Sequence, residues 1–453
     1  MSLIEGLLIF FAIVAIYAFS TFVLHKKGVL KKYNISLWGP ALMWRTSKGK
    51  KFLKKVAKKE RFWKAFGSSG IVLCFVMMIL MTAMLIWQAW LVFGFTPEQK
   101  EAMPGPEIAL VLPGINPILP LEFVGYIILA LVVAMVVHEF SHGILTIASK
   151  LKVKSLGILY LIVPIGAFCE PDEEELKKAK TKSRMRVYAA GPTSNFVVVL
   201  LSILVFSFVF MSAVQPAADG VGVFNVGKGT PAEEIGLSQG MIIISINNTN
   251  VTNVEGFFEV MEKTRSNQPT SISYAKGEKT FTKEVTLADK SNYTKNQSHI
   301  GQGYLGVGTS DVHKGFLSVL KNPFKGFPDG FLLFYILPLW GYLQGYNPIV
   351  APFIDSYIIT GPLSIIPTNV FWIIVNAVYW IFWLNLAVAL FNVLPMIPLD
   401  GGFLFNDALH SLVKRVKKGI SEQQREKIVK NISLILSLSV LLLIIFPWLI
   451  KYI

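Results

Sequence analysis

Six apolar stretches, each about the length a helix needs to cross a bilayer, leave this chain few folds to choose from. A membrane helix takes roughly 20 predominantly apolar residues, and that requirement is met at Leu3–Leu24, Ser69–Phe95, Phe123–Ala148, Val187–Val214, Val370–Leu394 and Ile432–Ile450. The composition agrees: 53% of the 453 residues are hydrophobic and 16% charged, with a mean hydropathy of +0.55. That excludes a disordered regulator, which buries too little apolar surface to fold. No basic residue precedes the first stretch, and it is too long for a signal-peptide core, so it is expected to be retained. The two cysteines, Cys74 and Cys169, cannot supply a disulfide framework or a thiolate zinc cluster, which leaves His, Asp and Glu to hold any metal.

The net charge of +15 raises nucleic acid as a partner until its distribution is followed. His25–Phe66 carries 14 Lys/Arg against one acid, Lys150–Arg186 nine against five and Asn406–Lys430 seven against three. Thr96–Leu121 together with Gln215–Asn369 carries twelve against fifteen. The positive-inside rule then places the three basic segments in the cytoplasm and both termini outside. No direct nucleic-acid binding is expected. Phe52, Val56, Phe62 and Trp63 interleave the lysines of Lys48–Lys64 in the manner of a helix lying on anionic lipid. Between Phe324 and Asn369 an even number of crossings is required. The prolines and Asp355 there favour interfacial or re-entrant segments over two further spans.

Residues 215–310 differ in kind, with short apolar runs and the polarity of a soluble domain. Thr230-Pro231-Ala232 opens a short helix, Met241–Ile246 is a strand, Asn247–Asn250 turns the chain, and Val254–Lys263 repeats at helical spacing. Strands at Ser271–Tyr274 and Thr280–Leu287 complete an α+β unit. This order resembles a PDZ domain of the protease-attached kind, a module that captures peptide ends by adding a strand to a sheet edge.

The chemistry is carried by the third span, where His138, Glu139 and His142 stand within five residues. Histidines four apart share a helix face and can reach one zinc ion, while the neighbouring glutamate can deprotonate a water. Three ionisable groups inside an apolar helix are costly unless they face a cavity or bind an ion; a buried polar knot pairing helices is the plainer alternative. A catalytic zinc needs a third ligand at membrane depth. Asp400 in LFNVLPMIPLDGG is the foremost candidate, because Pro395 and Pro398 stop the fifth span and Gly401-Gly402 allow a sharp turn. Glu170 and Asp355 are weaker rivals.

The His-Glu-x-x-His helix, the later Asn-x-x-Pro-x-x-Pro-Leu-Asp-Gly helix end and the PDZ-like insert together resemble the site-2 proteases, intramembrane zinc metalloproteases, over Phe123–Gly402. The resemblance implies that His138, His142 and Asp400 bind one Zn²⁺ and that Glu139 is the catalytic base. It also implies substrate contacts from Asn195 in the Gly191-Pro192-x-x-Asn195 pattern, from Asn392, and from Gly166, Ala167 and Phe168 in a membrane-associated β-hairpin at Leu156–Glu170. A helix-gluing or capping asparagine is the competing reading of Asn195 and Asn392.

The expected fold is therefore a polytopic α-helical membrane protein of about six transmembrane helices, with a membrane-associated β-hairpin and an inserted extracytoplasmic α+β PDZ domain. Its segments are 1–66 (first span and basic segment), 67–214 (core with the HExxH helix, hairpin and GPxxN helix), 215–310 (PDZ-like), 311–369 (interfacial or re-entrant), 370–405 (span with the Leu-Asp-Gly motif) and 406–453 (basic segment and last span). The expected partners are the lipid bilayer and a transmembrane protein substrate such as a membrane-tethered transcription factor or anti-sigma factor, with the active site toward the cytoplasmic half of the cell membrane. A metal-binding transporter would also carry intramembrane His, Glu and Asp, but shows repeated halves that this sequence lacks. A PDZ scaffold would not need Glu139 beside the histidines.

Overall fold

The fold is that of a computed structural model, which describes residues 3–39, 41–109, 114–160, 164–294, 296–417 and 419–451. Two compact units divide the chain: Met1–Pro106, Ile128–Val199 and Leu384–Ile453 form the first, and Glu107–Ile127 with Leu200–Trp383 the second. Among the described residues five helices are long and apolar enough to cross a membrane: Glu60–Phe93, Leu121–Ala148, Thr181–Ala213, Thr368–Asn392 and Glu422–Lys451. Only 17% of the apolar window of the first and last of these is buried inside the protein. An outward apolar surface of that extent suits lipid rather than water. The remaining predicted span falls on a 24-residue helix, Leu3–Lys26, whose described apolar part, Val14–Lys26, is shorter than a crossing.

The first unit opens with that helix, α1 (Leu3–Lys26), followed by strands β1 (Ile35–Trp38) and β2 (Ala41–Thr46), helix α2 (Lys50–Ala57) and the long α3 (Glu60–Phe93). Helix α4 (Val124–Ala148), strands β3 (Val153–Tyr160) and β4 (Pro164–Pro171), and helix α5 (Thr181–Leu204) come next. The expected hairpin is β3–β4; its residues 161–163 lie outside the described residues. It does not stand alone, because β2 pairs with β3 and β1 with β2, giving a four-stranded antiparallel sheet in the order β1-β2-β3-β4. The basic segment thus supplies half a sheet that the sequence reading did not foresee. The lipid-lying helix is also redistributed: α2 turns Leu53 and Ala57, four apart on one face, into a core with Ile144, Leu145, Leu156, Cys169, Val187 and Ala190. Its lysines stay outside.

Within the second unit, the segment expected to be PDZ-like contains strands β5 (Val221–Val226) and β6 (Ile242–Ile246), helix α6 (Val254–Glu262), and strands β7 (Pro269–Lys276), β8 (Lys279–Thr286) and β9 (Val307–Ser310). The strands run in the order β8-β7-β6-β5-β9. Asn247 and Asn248 take left-handed backbone angles at the turn after β6, a conformation Asn accepts more readily than most residues. Asn253 caps α6 by accepting from the Gly256 amide. Val221, Ile243, Ile246, Phe257, Ile272 and Tyr274 form the core between α6 and the sheet. After β9 come α7 (Val312–Lys321) and α8 (Asp329–Gln344), the latter a 16-residue helix with Pro338 inside it. The Ser356 hydroxyl then donates to the Gly240 carbonyl, and Pro352 lies so close to Gly240 that a Cβ there would come within 2.1 Å of its oxygen. The chain finishes with α9 (Thr368–Asn392), α10 (Asp400–Val416) and α11 (Glu422–Lys451).

Candidate metal centre

Helix α4 sets the centre by its period. His138 and His142, one turn apart, bring their rings to 4.8 Å between centroids at an interplanar angle of 76°. Both are buried. The Nδ1 of His142 lies 2.7 Å from the Val187 carbonyl of α5. A carbonyl only accepts, so Nδ1 carries a proton, and in the neutral ring Nε2 is left as the lone-pair atom. Thr146 and Ser141 return their hydroxyls to carbonyls of α4 itself.

Asp400 arrives from a helix start. Helix α9 ends at Asn392, the proline-bearing segment 393–399 turns the chain, and Asp400 opens α10. Neither Gly401 nor Gly402 takes a left-handed angle. Their need is proximity: a Cβ at Gly401 would come within 2.2 Å of the Val393 carbonyl oxygen, and one at Gly402 within 2.5 Å of the Met396 carbonyl carbon. The close return aims the carboxylate at the histidines. Its Oδ2 lies 3.0 Å from His138 Nε2 and 3.2 Å from His142 Nε2.

A neutral imidazole lone pair and a carboxylate oxygen repel at such distances unless a proton or a metal ion lies between them, and a metal ion serves both histidines at once. Two ligand atoms on tetrahedral zinc at about 2.0–2.1 Å stand about 3.3 Å apart, close to the spacing found here. Among the described residues Asp400 Oδ2 is buried with no hydrogen-bond partner beyond the two imidazoles. Gly191 of α5 completes the cradle: a Cβ there would lie 2.5 Å from Nε2 of His138 and 2.6 Å from Nε2 of His142. The donor set therefore fits a bound zinc. In the sequence this glycine stood only as the first residue of the Gly191-Pro192-x-x-Asn195 pattern.

Glu139 has a partner that sequence could not show. Its Oε2 accepts the backbone amide of Cys169, in β4, at 2.8 Å. The ligand-type atoms of His138, Glu139 and His142 lie within 4.8 Å of one another. Gly166, Ala167 and Phe168 occupy the same strand, which has β3 on one side and is last in the sheet. Backbone groups alternate along a strand, so those of Ala167 face the same edge as the Cys169 amide. The Phe168 ring lies across Gly157, where a Cβ would come within 2.2 Å of it.

The other candidates separate. Asn195 is fully buried one turn beyond Gly191, and neither its amide nitrogen nor its oxygen finds a partner among the described residues. Asn392 donates to Val388 of its own helix at 3.0 Å, as a helix-capping side chain does. Glu170 is engaged elsewhere, by Ser155 at 2.5 Å, Lys154 at 3.2 Å and Arg45 at 3.6 Å. Burial opposes its charge, but these three groups outweigh it and hold the carboxyl below its ordinary value. Asp355 pairs with Lys276 at 3.5 Å. A partly buried clamp went unforeseen: Arg184 of α5 donates twice to Asp407, at 2.9 and 2.7 Å. Asp407 lies two helical turns after Asp400 on α10, so the clamp fixes the helix that presents the carboxylate.

A family model described as Peptidase family M50 matches residues 126–440, an interval that contains every ligand named above. The chain belongs to peptidase family M50. Zinc is the cofactor this membership brings, in keeping with the donor set. The M50 chain is 26% identical over 379 residues to an uncharacterized protein of Methanocaldococcus jannaschii, covering 83% of this chain and 80% of that one. A protein of Clostridium acetobutylicum that carries a provisional zinc metalloprotease name is 26% identical over 310 residues, 61% of this chain and 84% of its own length. One of Clostridium perfringens, similarly named, is 25% identical over 317 residues, covering 64% and 84%. Among solved structures, the PDZ domain of an SdrC-like protein of Listeria monocytogenes is 19% identical, covering 21% of this chain and 92% of its own, with a TM-score of 0.18.

Proposed function

We propose that this M50 peptidase is an intramembrane endopeptidase of the site-2 type, which cleaves single-span proteins within the bilayer. The observation that carries the reading is the meeting of two imidazole Nε2 atoms with one carboxylate oxygen at 3.0 and 3.2 Å, beside a glutamate on an apolar helix. His138, His142 and Asp400 hold the zinc. When bound, zinc supplies Lewis acidity, lowering the pKa of water and polarising a peptide carbonyl. Glu139 takes the proton of the attacking water and delivers it to the leaving amine. The Cys169 amide fixes Oε2, which leaves Oε1 to exchange the proton. Asn195, whose amide finds no partner among the described residues, holds a substrate carbonyl or the developing oxyanion.

A helical substrate hides its carbonyls in intrahelical hydrogen bonds and must unwind before it is cut. The outer edge of β4, with Ala167 facing it, offers the unwound segment a strand to pair with. The basic segments lie in the cytoplasm, the PDZ-like domain outside, and the metal in the cytoplasmic half of a six-span bundle. The domain then bars substrates with bulky ectodomains, and release of a membrane-tethered transcription factor or anti-sigma factor is the outcome of cleavage. Metal analysis tests the ligand set. Asp400→Ala and His142→Ala each lose zinc from a folded protein, whereas Glu170→Gln and Asp355→Asn retain it; zinc retained by Asp400→Ala would remove the third ligand from the account.

A further inference from the structure

The sheet β1–β4 borders an open surface pocket of 640 Å³, whose lining includes four cations, Lys31, Arg45, Lys48 and Lys154. The hydroxyls of Ser36, Thr46, Ser47 and Ser155 lie among them. Among the described residues one carboxylate pairs with those charges, Glu170, which engages Arg45 and Lys154. Among the described residues Lys31 and Lys48 form no ion pair, and both are exposed. Exposed cations beside hydroxyl groups are the chemistry that receives phosphate oxygens.

The surroundings decide which phosphate. Trp44 lines the pocket and is 41% exposed; Tyr33, Leu37, Phe19 and Phe22 nearby in the chain are exposed as well. Tyr17 of α1 donates to the Tyr160 carbonyl at the end of β3 at 3.2 Å, so the apolar helix is tied to the sheet that holds the cations. Lys31 follows the end of α1 by five residues, and Lys48 precedes the start of α3 by twelve. Four cations beside an exposed indole, on a sheet to which an apolar helix is tied, suit a headgroup whose acyl chains stay in lipid. We propose that this pocket binds the headgroup of an anionic phospholipid. The inference rests on membrane insertion and not on the peptidase reading, and binding alone tests it.

The experiment titrates the purified full chain in neutral detergent with phosphatidylglycerol, phosphatidylcholine or inorganic phosphate and reads occupancy by native mass spectrometry. The wild type is expected to retain phosphatidylglycerol in preference to phosphatidylcholine. The pair Lys31→Gln, Lys48→Gln is expected to weaken it about 25-fold, from about fivefold per lysine at a membrane surface. The pair Lys54→Gln, Lys55→Gln makes the same charge change on exposed α2 positions outside the pocket and is expected to change binding less than about threefold. Substituting Lys31 and Lys48 strands no ion-pair partner, and unchanged zinc content and thermal unfolding verify the fold. Equal weakening by both pairs would reduce the effect to diffuse charge and overturn the site. Equal retention of phosphatidylcholine, or displacement of the lipid by millimolar inorganic phosphate, would overturn the lipid assignment.

Discussion

Gly191→Ala tests the geometry of the centre without touching a ligand. The added methyl would sit 2.5 Å from Cε1 and Nε2 of His138 and 2.6 Å from Nε2 of His142. Ordinary contact between such atoms is about 3.5–4.0 Å, so the imidazoles or α5 must retreat by about 1 Å. Zinc sites tolerate departures of about 0.2 Å in ligand distance, well short of that retreat. Helix α5 is not free to yield, because Val187 receives His142, Ser194 reaches Val137 and Arg184 clamps Asp407. Overpacking of this kind costs about 1–3 kcal/mol, which expressed as metal affinity is a loss of about 5- to 150-fold. Chelator competition with zinc quantified by mass spectrometry measures it. Gly125→Ala on α4, where a Cβ meets nothing within 4 Å, is the control. Wild-type zinc affinity in Gly191→Ala would refute the idea that this glycine makes room for the metal.

Three further outcomes follow from other parts of the molecule. A double-mutant cycle of Arg184→Met and Asp407→Leu, read by thermal unfolding, is expected to give a coupling of about 1.5–3 kcal/mol for charged hydrogen bonds; no coupling would mean that the clamp does not hold α10. Leu53→Ala empties a fully buried site against Gly143, next to His142, and should cost about 2–5 kcal/mol; a change under about 0.5 kcal/mol would deny α2 its part in the core. Asp289 is held down to about 2 from an ordinary 3.8 by the Ser291 hydroxyl and the Gly301 and Ser291 amides. Its folded pKa is depressed, so its stabilisation is present above about pH 4 and is lost as pH falls toward 2. Asp289→Asn should therefore flatten the acid limb of unfolding, and an unaltered limb would contradict that assignment.

What the sequence showed and what it hid divide along physical lines. Apolar runs are legible because lipid imposes length and composition at once, and five of them coincide with helices. The histidine pair was legible through helical period, and Asp400 through the prolines that stop α9. Strands β1 and β2 escaped because ISLW and ALMWRT are short and lie among lysines, and only the distant β3 stabilises their pairing. Gly39-Pro40 between them was the turn signal available. The Cys169 amide on Glu139 left no signature, since every residue except proline offers a backbone N–H. Arg184 and Asp407 stood as ordinary charges 223 positions apart, with nothing in composition to pair them.

The most direct test is zinc-dependent cleavage of single-span helices by the full chain in liposomes, wild type against Glu139→Gln, with bound zinc quantified in both. The account predicts that wild type cuts, that chelation abolishes cutting, and that Glu139→Gln retains about one zinc per chain without cutting. Cleavage by Glu139→Gln at the wild-type rate would contradict the role given to Glu139, and a wild type that binds no zinc would contradict the centre built from His138, His142 and Asp400.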